Sequence, residues 1–200
     1  MATQSSEVRT LFQQAYLVND LGEAATRWSA LFGAGPFFAA RHHRTDAFSY
    51  RGGSTEADVS YAFGYLGDTM IQFIEQHDDK PSIYRDMFAR GEEGFHHIAY
   101  LIRDFAGERQ RLLDLGWDLA CELYADGVNA AYFDTRAATG GFTEIHGDPP
   151  HILGMFGLWK RAHQLRDPRG PVLVEQEAWQ APGEDGTLYY QSVPITPLTA

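Results

Sequence analysis

Two hundred residues, 44% hydrophobic and 14% aromatic, are enough to bury a core, and the length suits one compact domain or two small fused modules. A formal net charge of −11 argues against nucleic acid or an anionic membrane as the main partner, which leaves a small molecule or another protein. One cysteine, Cys121, cannot form an internal disulfide and reads as a small core residue; with no apolar run resembling a signal peptide or a membrane span, the expected location is the cytoplasm.

In chain order, residues 10–18 alternate as a strand, with Phe12, Gln14, Tyr16 and Val18 on one face and Gln13, Ala15 and Leu17 on the other. Asp20 stops it and can cap a helix over residues 21–32, whose Ala24, Trp28, Leu31 and Phe32 share a side before Gly and Pro break the run. Strands are expected over residues 36–43, 57–66 and 69–75, divided by the turn signals RGGSTEAD and GD. A polar connector with a short helix near residues 82–89 follows. The pattern then repeats: strand 95–103, helix 104–115 closed by Gly116, and strands 117–124, 129–134 and 141–147. Beyond Pro150, Ile152, Met155, Phe156 and Trp159 form a helical stripe to be buried on the chain's own surface or on a second subunit, and a proline-rich tail reads as an extended arm.

The repeat is literal. QQAYLVNDL from Gln13 and HIAYLIRDF from His97 match in pattern at an offset of 84 (97 − 13, and 104 − 20 for the capping aspartates). Two strand-then-helix units of this kind predict a pseudo-twofold α+β fold in which Gln13 and His97 face each other across a shared cavity. Period-two alternation puts Gln72 beside Ile74, and Glu144 beside Phe142 and His146, on such inner faces. Two glutamines, a histidine and a glutamate supply N and O ligands for a divalent ion such as Co, Ni, Mn, Fe or Zn. His42, His43, Tyr84 and Arg85 read first as a solvated charged loop and only second as substrate-facing, while His96 has the parity of the face that packs under a helix.

The segments QAYLVNDL with FGAGPF, MIQFIEQ, GFHHIAYLIRDF and YFDTRAATGGFTEIHGD resemble the vicinal oxygen chelate superfamily, the glyoxalase I and methylmalonyl-CoA epimerase group. The resemblance implies two tandem βαβββ modules forming an incomplete barrel around one metal over residues 9–148: module one 9–76, connector 77–94, module two 95–148, with the helix and arm in 149–200. By motif it implies Gln13, Gln72, His97 and Glu144 as metal ligands, with Glu144 as proton-transfer base; His146, one strand step from Glu144 on the same face, reads as an outer-shell acid/base group or equally as a rim residue. It also implies an isomerase, epimerase or lyase acting on a small carbonyl or thioester substrate; the apolar stripe and the arm exceed what a small domain needs and, with relatives that commonly pair modules across subunits, lead to the expectation of a homodimer. The family's epimerases add a second carboxylate from a middle strand of module one, where this chain offers Ser60 with Asp58 nearby. A metal-free small-molecule binding protein and an oxygen-using dioxygenase of the same fold stay open as alternatives.

Overall fold

The computed structural model describes residues 9–175. The first half comprises β1 (Thr10–Leu17), α1 (Leu21–Phe32), β2 (Phe37–Ala40), a hairpin of β3 (Ala47–Tyr50) and β4 (Gly53–Ser54), β5 (Val59–Leu66) and β6 (Thr69–Gln76). The second comprises β7 (Gly94–Ile102), α2 (Phe105–Asp114), β8 (Leu119–Ala125), β9 (Val128–Phe133), the single turn α3 (Arg136–Thr139) and β10 (Phe142–Gly147); α4 (Pro150–Gln164) and β11 (Leu173–Glu175) follow. All these strands join one open sheet in the order β11-β2-β5-β6-β1-β7-β10-β9-β8-β3-β4. Counted outward from the antiparallel β1/β7 pair, the halves mirror each other, since β1 runs parallel to β6 and β7 parallel to β10. This is the expected α+β arrangement of two βαβββ modules around an incomplete barrel.

The first helix of each half starts at the expected aspartate. The Asp20 carboxylate accepts the Glu23 N–H at 2.8 Å and the Asp104 carboxylate accepts the Gly107 N–H at 3.0 Å. α1 buries Leu21, Ala24 and Ala25 against Ile71 and Phe73, and α2 buries Leu112 against Ala131, Phe133 and Ile145. Leu31 and Phe32, expected on the buried side, are 67% and 55% exposed.

The concave face is filled from both ends. From one side the connector inserts Ile83 and Tyr84 among Tyr61, Cys121, Tyr132 and Phe142, so Tyr84 is a fully buried core residue and Cys121 is the small core residue expected. Residues 83–87 make turns and not the expected helix, since only isolated bonds such as Asp86 N–H to the Ser82 carbonyl form there. From the other side α4 lays Ile152, Met155, Phe156 and Trp159 across the barrel, with Trp159 stacked on Phe63 at 5.0 Å. The stripe is therefore covered by its own chain, and the homodimer expectation loses the support it drew from that stripe.

The largest departure is the stretch between β2 and β5. One strand was expected over residues 36–43; instead the chain leaves the sheet after Ala40 and forms β3 and β4 around Arg51 and Gly52, both at positive φ (46° and 81°). It then pairs β3 with β8 at the far edge of the second half. At the opposite edge, Leu173–Glu175 of the expected arm runs parallel to β2; the rest of that arm lies outside the described residues. Among the described residues, no helix is long and apolar enough to cross a membrane.

Candidate functional site

The sheet register builds the site. Across β6, β1, β7 and β10, one row of neighbours reads Gln72, Ala15, His97, Phe142 and the next inner row reads Met70, Gln13, Ala99, Glu144. Rotation about the axis between β1 and β7 converts one row into the other: Gln13 matches His97 and Ala15 matches Ala99 at an offset of 84, while Gln72 matches Glu144 at 72 (144 − 72). Ala15 separates Gln72 from His97, and Ala99 separates Gln13 from Glu144. Both alanines are fully buried, and their short side chains leave the space into which the four polar ones converge.

Converge they do. Gln13 Nε2 donates to Gln72 Oε1 at 2.6 Å and lies 3.4 Å from His97 Nε2, which in turn lies 2.9 Å from Glu144 Oε2. All four residues are buried, none above 5% exposed. His97 and Glu144 are not an ion pair: burial pushes His97 down to about 3 and Glu144 up to about 7, so near neutrality the ring is uncharged and the carboxyl is poised between its two forms. The nearby His146 and a hydrogen bond with Tyr132 oppose the rise at Glu144 without cancelling it. Despite its approach to His97, Glu144 Oε2 has no hydrogen-bond partner.

The β1/β7 pairing slips twice, between Leu11 and Gln13 and between Ala15 and Tyr16. The first slip leaves Phe12 as an extra residue and the second leaves His96, again 84 apart (96 − 12). Strict alternation assigns both to the helix-covered face; the two bulges turn them inward. Phe12 stacks on Phe156 at 5.4 Å, and His96 packs against Tyr84 and Phe142 while its Nδ1 lies 2.8 Å from His97 Nδ1.

A cavity of about 100 Å³ opens over the donors, lined by Tyr61, Phe63, His146 and the apolar stripe of α4. His146 is half-buried at its wall, Nδ1 held by the Gly147 carbonyl at 2.6 Å. His43 lines the same cavity, which favours the second of its two sequence readings: its Nε2 lies 3.3 Å from Asp126 Oδ2 and its buried Nδ1 has no partner. His42 and Arg85 keep to the polar periphery, as expected of a charged loop. Through His43, Leu123 and Ala130 the cavity adjoins an outer groove of about 1010 Å³ beside the β3/β4 hairpin. Ser60 does not serve the site. It pairs with Glu75, one step out of phase with the Phe63/Gln72 pair, and its hydroxyl meets His42 and His77 on the other face. The GD turn held this information, because a two-residue hairpin that pairs Leu66 with Thr69 fixes every partner upstream.

Over residues 12–134, more than half of the chain, the sequence matches the family described as the Glyoxalase/Bleomycin resistance protein/Dioxygenase superfamily. The chain belongs to this superfamily. Among solved structures, methylmalonyl-CoA epimerase from Mycobacterium tuberculosis is similar with a TM-score of 0.56 at 15% identity, covering 76% of this chain and 97% of that one. A hypothetical protein from Bacillus halodurans C-125 is similar with a TM-score of 0.52 at 18% identity, covering 70% and 95%. At such identities the likeness is one of fold. No curated protein matches the sequence.

Superfamily members of this architecture commonly hold a divalent ion between the modules, and the residues here fit one. Gln72 Oε1, His97 Nε2 and the orphaned Glu144 Oε2 are oxygen and nitrogen donors gathered at one buried point. A half-turn of the Gln13 amide would add its oxygen to them. A second cluster, His42, Asp58 and His77, lies on the outer face, with donor atoms within 4.8 Å of one another. His42 Nδ1 is taken up by Asp58 and His77 Nε2 by Ser60, so those groups satisfy each other.

Proposed function

We propose that this superfamily member is a metal-dependent isomerase, epimerase or lyase that moves a proton beside a small carbonyl group. The observation that supports it is the buried convergence of Gln13, Gln72, His97 and Glu144 around a carboxylate oxygen with no partner. A divalent ion held by these four side chains, by donor type Co, Ni, Mn, Fe or Zn, supplies Lewis acidity toward a substrate oxygen. Glu144, the one carboxylate of the cluster, is the group placed to take a proton from the carbon next to that carbonyl and to return it. Gln13 and Gln72 orient the oxygens without adding charge. His146, with Nδ1 committed to the Gly147 carbonyl, keeps Nε2 for a second proton transfer at the cavity wall. Ile152, Met155, Phe156 and Trp159 exclude water.

The small cavity favours a compact reacting group. The inner face of β5 offers Val59, Tyr61, Phe63 and Tyr65, so a second carboxylate base from that strand, as in a two-carboxylate epimerase, is not available. The outer groove carries Asp46, Glu56 and Asp58 against Arg44, which disfavours a polyphosphate tail there and favours a simple carbonyl over a coenzyme thioester. Donors that include one histidine also suit a dioxygenase built on two histidines and a carboxylate poorly. The metal-free binding alternative keeps one observation in its favour, the Gln13–Gln72 bond, which satisfies part of the cluster without an ion. The buried lone cysteine suits a reducing compartment such as the cytoplasm.

The test is elemental analysis of protein purified without chelator, then NMR of α-hydrogen exchange into deuterated solvent across α-carbonyl compounds with added Co, Ni or Mn. Stoichiometric metal and metal-dependent exchange are expected. A metal-free protein that no added ion loads would sink the reading in favour of a binding protein.

A further inference from the structure

We propose that His96 fixes the tautomer of His97, and thereby decides whether the buried cluster holds a bare nitrogen or an N–H. The functional half of this inference rests on the metal reading above; the structural half does not. The chain of hydrogen bonds begins at the Ile83 carbonyl, which can only accept. His96 Nε2 lies 3.2 Å from it and so carries a proton. At the other end the Gln13 amide nitrogen, which can only donate, lies 3.4 Å from His97 Nε2, so that nitrogen presents a lone pair and the His97 proton sits on Nδ1. His97 Nδ1 lies 2.8 Å from His96 Nδ1 and donates to it, which leaves His96 Nδ1 bare and its one proton on Nε2, facing the Ile83 carbonyl. A bare His97 Nε2 within the Gln13–Glu144 cluster is the state a metal ligand requires.

Without an acceptor at residue 96, nothing holds the proton on Nδ1. It can move to Nε2, which lies 2.9 Å from Glu144 Oε2. The proton count is unchanged, but the cluster then carries a hydrogen where an ion would bind. The backbone makes the arrangement possible, because only at a bulge can two successive residues of one strand turn to the same side. The twofold-related bulge holds Phe12, which offers no acceptor to Gln13. His96 is thus a positioning residue of the second half with no counterpart in the first.

The experiment is ¹⁵N NMR of the imidazole nitrogens, joined to Co(II) titration followed by visible absorption, on the wild type, His96→Phe and His96→Gln. Phe keeps the ring packing and removes the acceptor; Gln keeps a carbonyl acceptor. We expect His97 protonated on Nδ1 in the wild type. In His96→Phe the proton should move to Nε2 and Co(II) affinity should fall roughly ten- to hundredfold, the usual loss for such an outer partner. His96→Gln should stay within a few-fold of wild type. An Nε2–H on wild-type His97 overturns the inference, as does a folded His96→Phe that binds Co(II) with unchanged affinity. If His96→Phe does not fold, the wild-type spectrum alone decides. Should the wild type bind no Co(II) while His97 carries its proton on Nδ1, the metal reading fails and the positioning role stands.

Discussion

The two halves share a backbone and divide the chemistry. Both place a polar residue at the same point of a bulged strand, both cap the next helix with an aspartate, and both set an alanine beside their partner's donor. Yet to the four-residue cluster the first half brings two amides, Gln13 and Gln72, while the second brings the titratable His97 and Glu144, with His96 behind them. A repeat therefore secures geometry, which symmetry can duplicate, and leaves reactivity to side chains, which need not be duplicated. The halves also differ in reach: only the first sends a hairpin across to the other's outer strand, and that excursion delivers His43 to the cavity.

The sharpest way to break this division is to remove the proposed base. Glu144→Gln keeps an oxygen donor but loses basicity, so α-hydrogen exchange should drop by at least ~10²-fold with metal content nearly unchanged. Gln13→Ala should instead weaken metal binding while leaving exchange at saturating metal much less affected. His146→Ala should cost less than Glu144→Gln. If His146→Ala is inactive and Glu144→Gln active, the base is His146 and the second half keeps the chemistry with different residues.

The next test asks whether the alanines are equivalent. Ala15→Leu and Ala99→Leu each force a branched side chain into a buried place between two donors, at a cost of about 1–3 kcal/mol of stability for overpacking. Both should abolish Co(II) binding. Chemical denaturation and Co(II) titration of the two variants should agree closely; a variant that folds and binds like wild type would show that the register does not shape the site.

Much of this was readable before any coordinates. The 84-residue offset and period-two alternation were enough to bring Gln13, Gln72, His97 and Glu144 together, because side-chain direction along an unbroken strand is fixed by counting. Counting fails where a strand slips: Phe12 and His96 look outward by parity and turn inward only because of bulges, which depend on pairing with a distant strand. The same limit hid β3 and β4, four and two residues long, whose stability comes from β8 some 70 positions later (Ser49 opposite Glu122). Tyr84 was misplaced for another reason: a polar neighbourhood in sequence does not show that one aromatic plugs the core.

A smaller effect compares the helix caps. Asp20→Ala and Asp104→Ala each remove one side-chain acceptor from a helix N-terminus and should each cost about 1 kcal/mol. Equal losses in denaturation would extend the equivalence of the halves from geometry to energetics. An Asp20 cost well above that of Asp104 would instead indicate that Asp20 also serves the surrounding charges, of which Arg41 is one.

The last comparison is a slope with pH, and it separates two buried carboxyls of the second half. Burial opposes ionisation of Glu108, yet the Arg111 and Arg9 guanidiniums bonded to it hold it at about 2, so its stabilisation is present above its ordinary value of 4.5 and is lost as pH falls through about 2. Glu144 behaves oppositely. Its carboxyl is raised from 4.5 to about 7, so its contribution is fully present below 4.5 and is lost as pH rises through 7, when the folded chain must hold a buried negative charge. In chelator-treated protein, the thermal midpoint of the wild type should therefore fall relative to Glu144→Gln between pH 4.5 and 7 and run parallel to it above. Added Co(II) should reverse the difference, since a bound cation favours the ionised carboxylate. Parallel curves over the whole range, with and without Co(II), would show that Glu144 ionises as freely folded as unfolded, and would remove the burial on which its role as base depends.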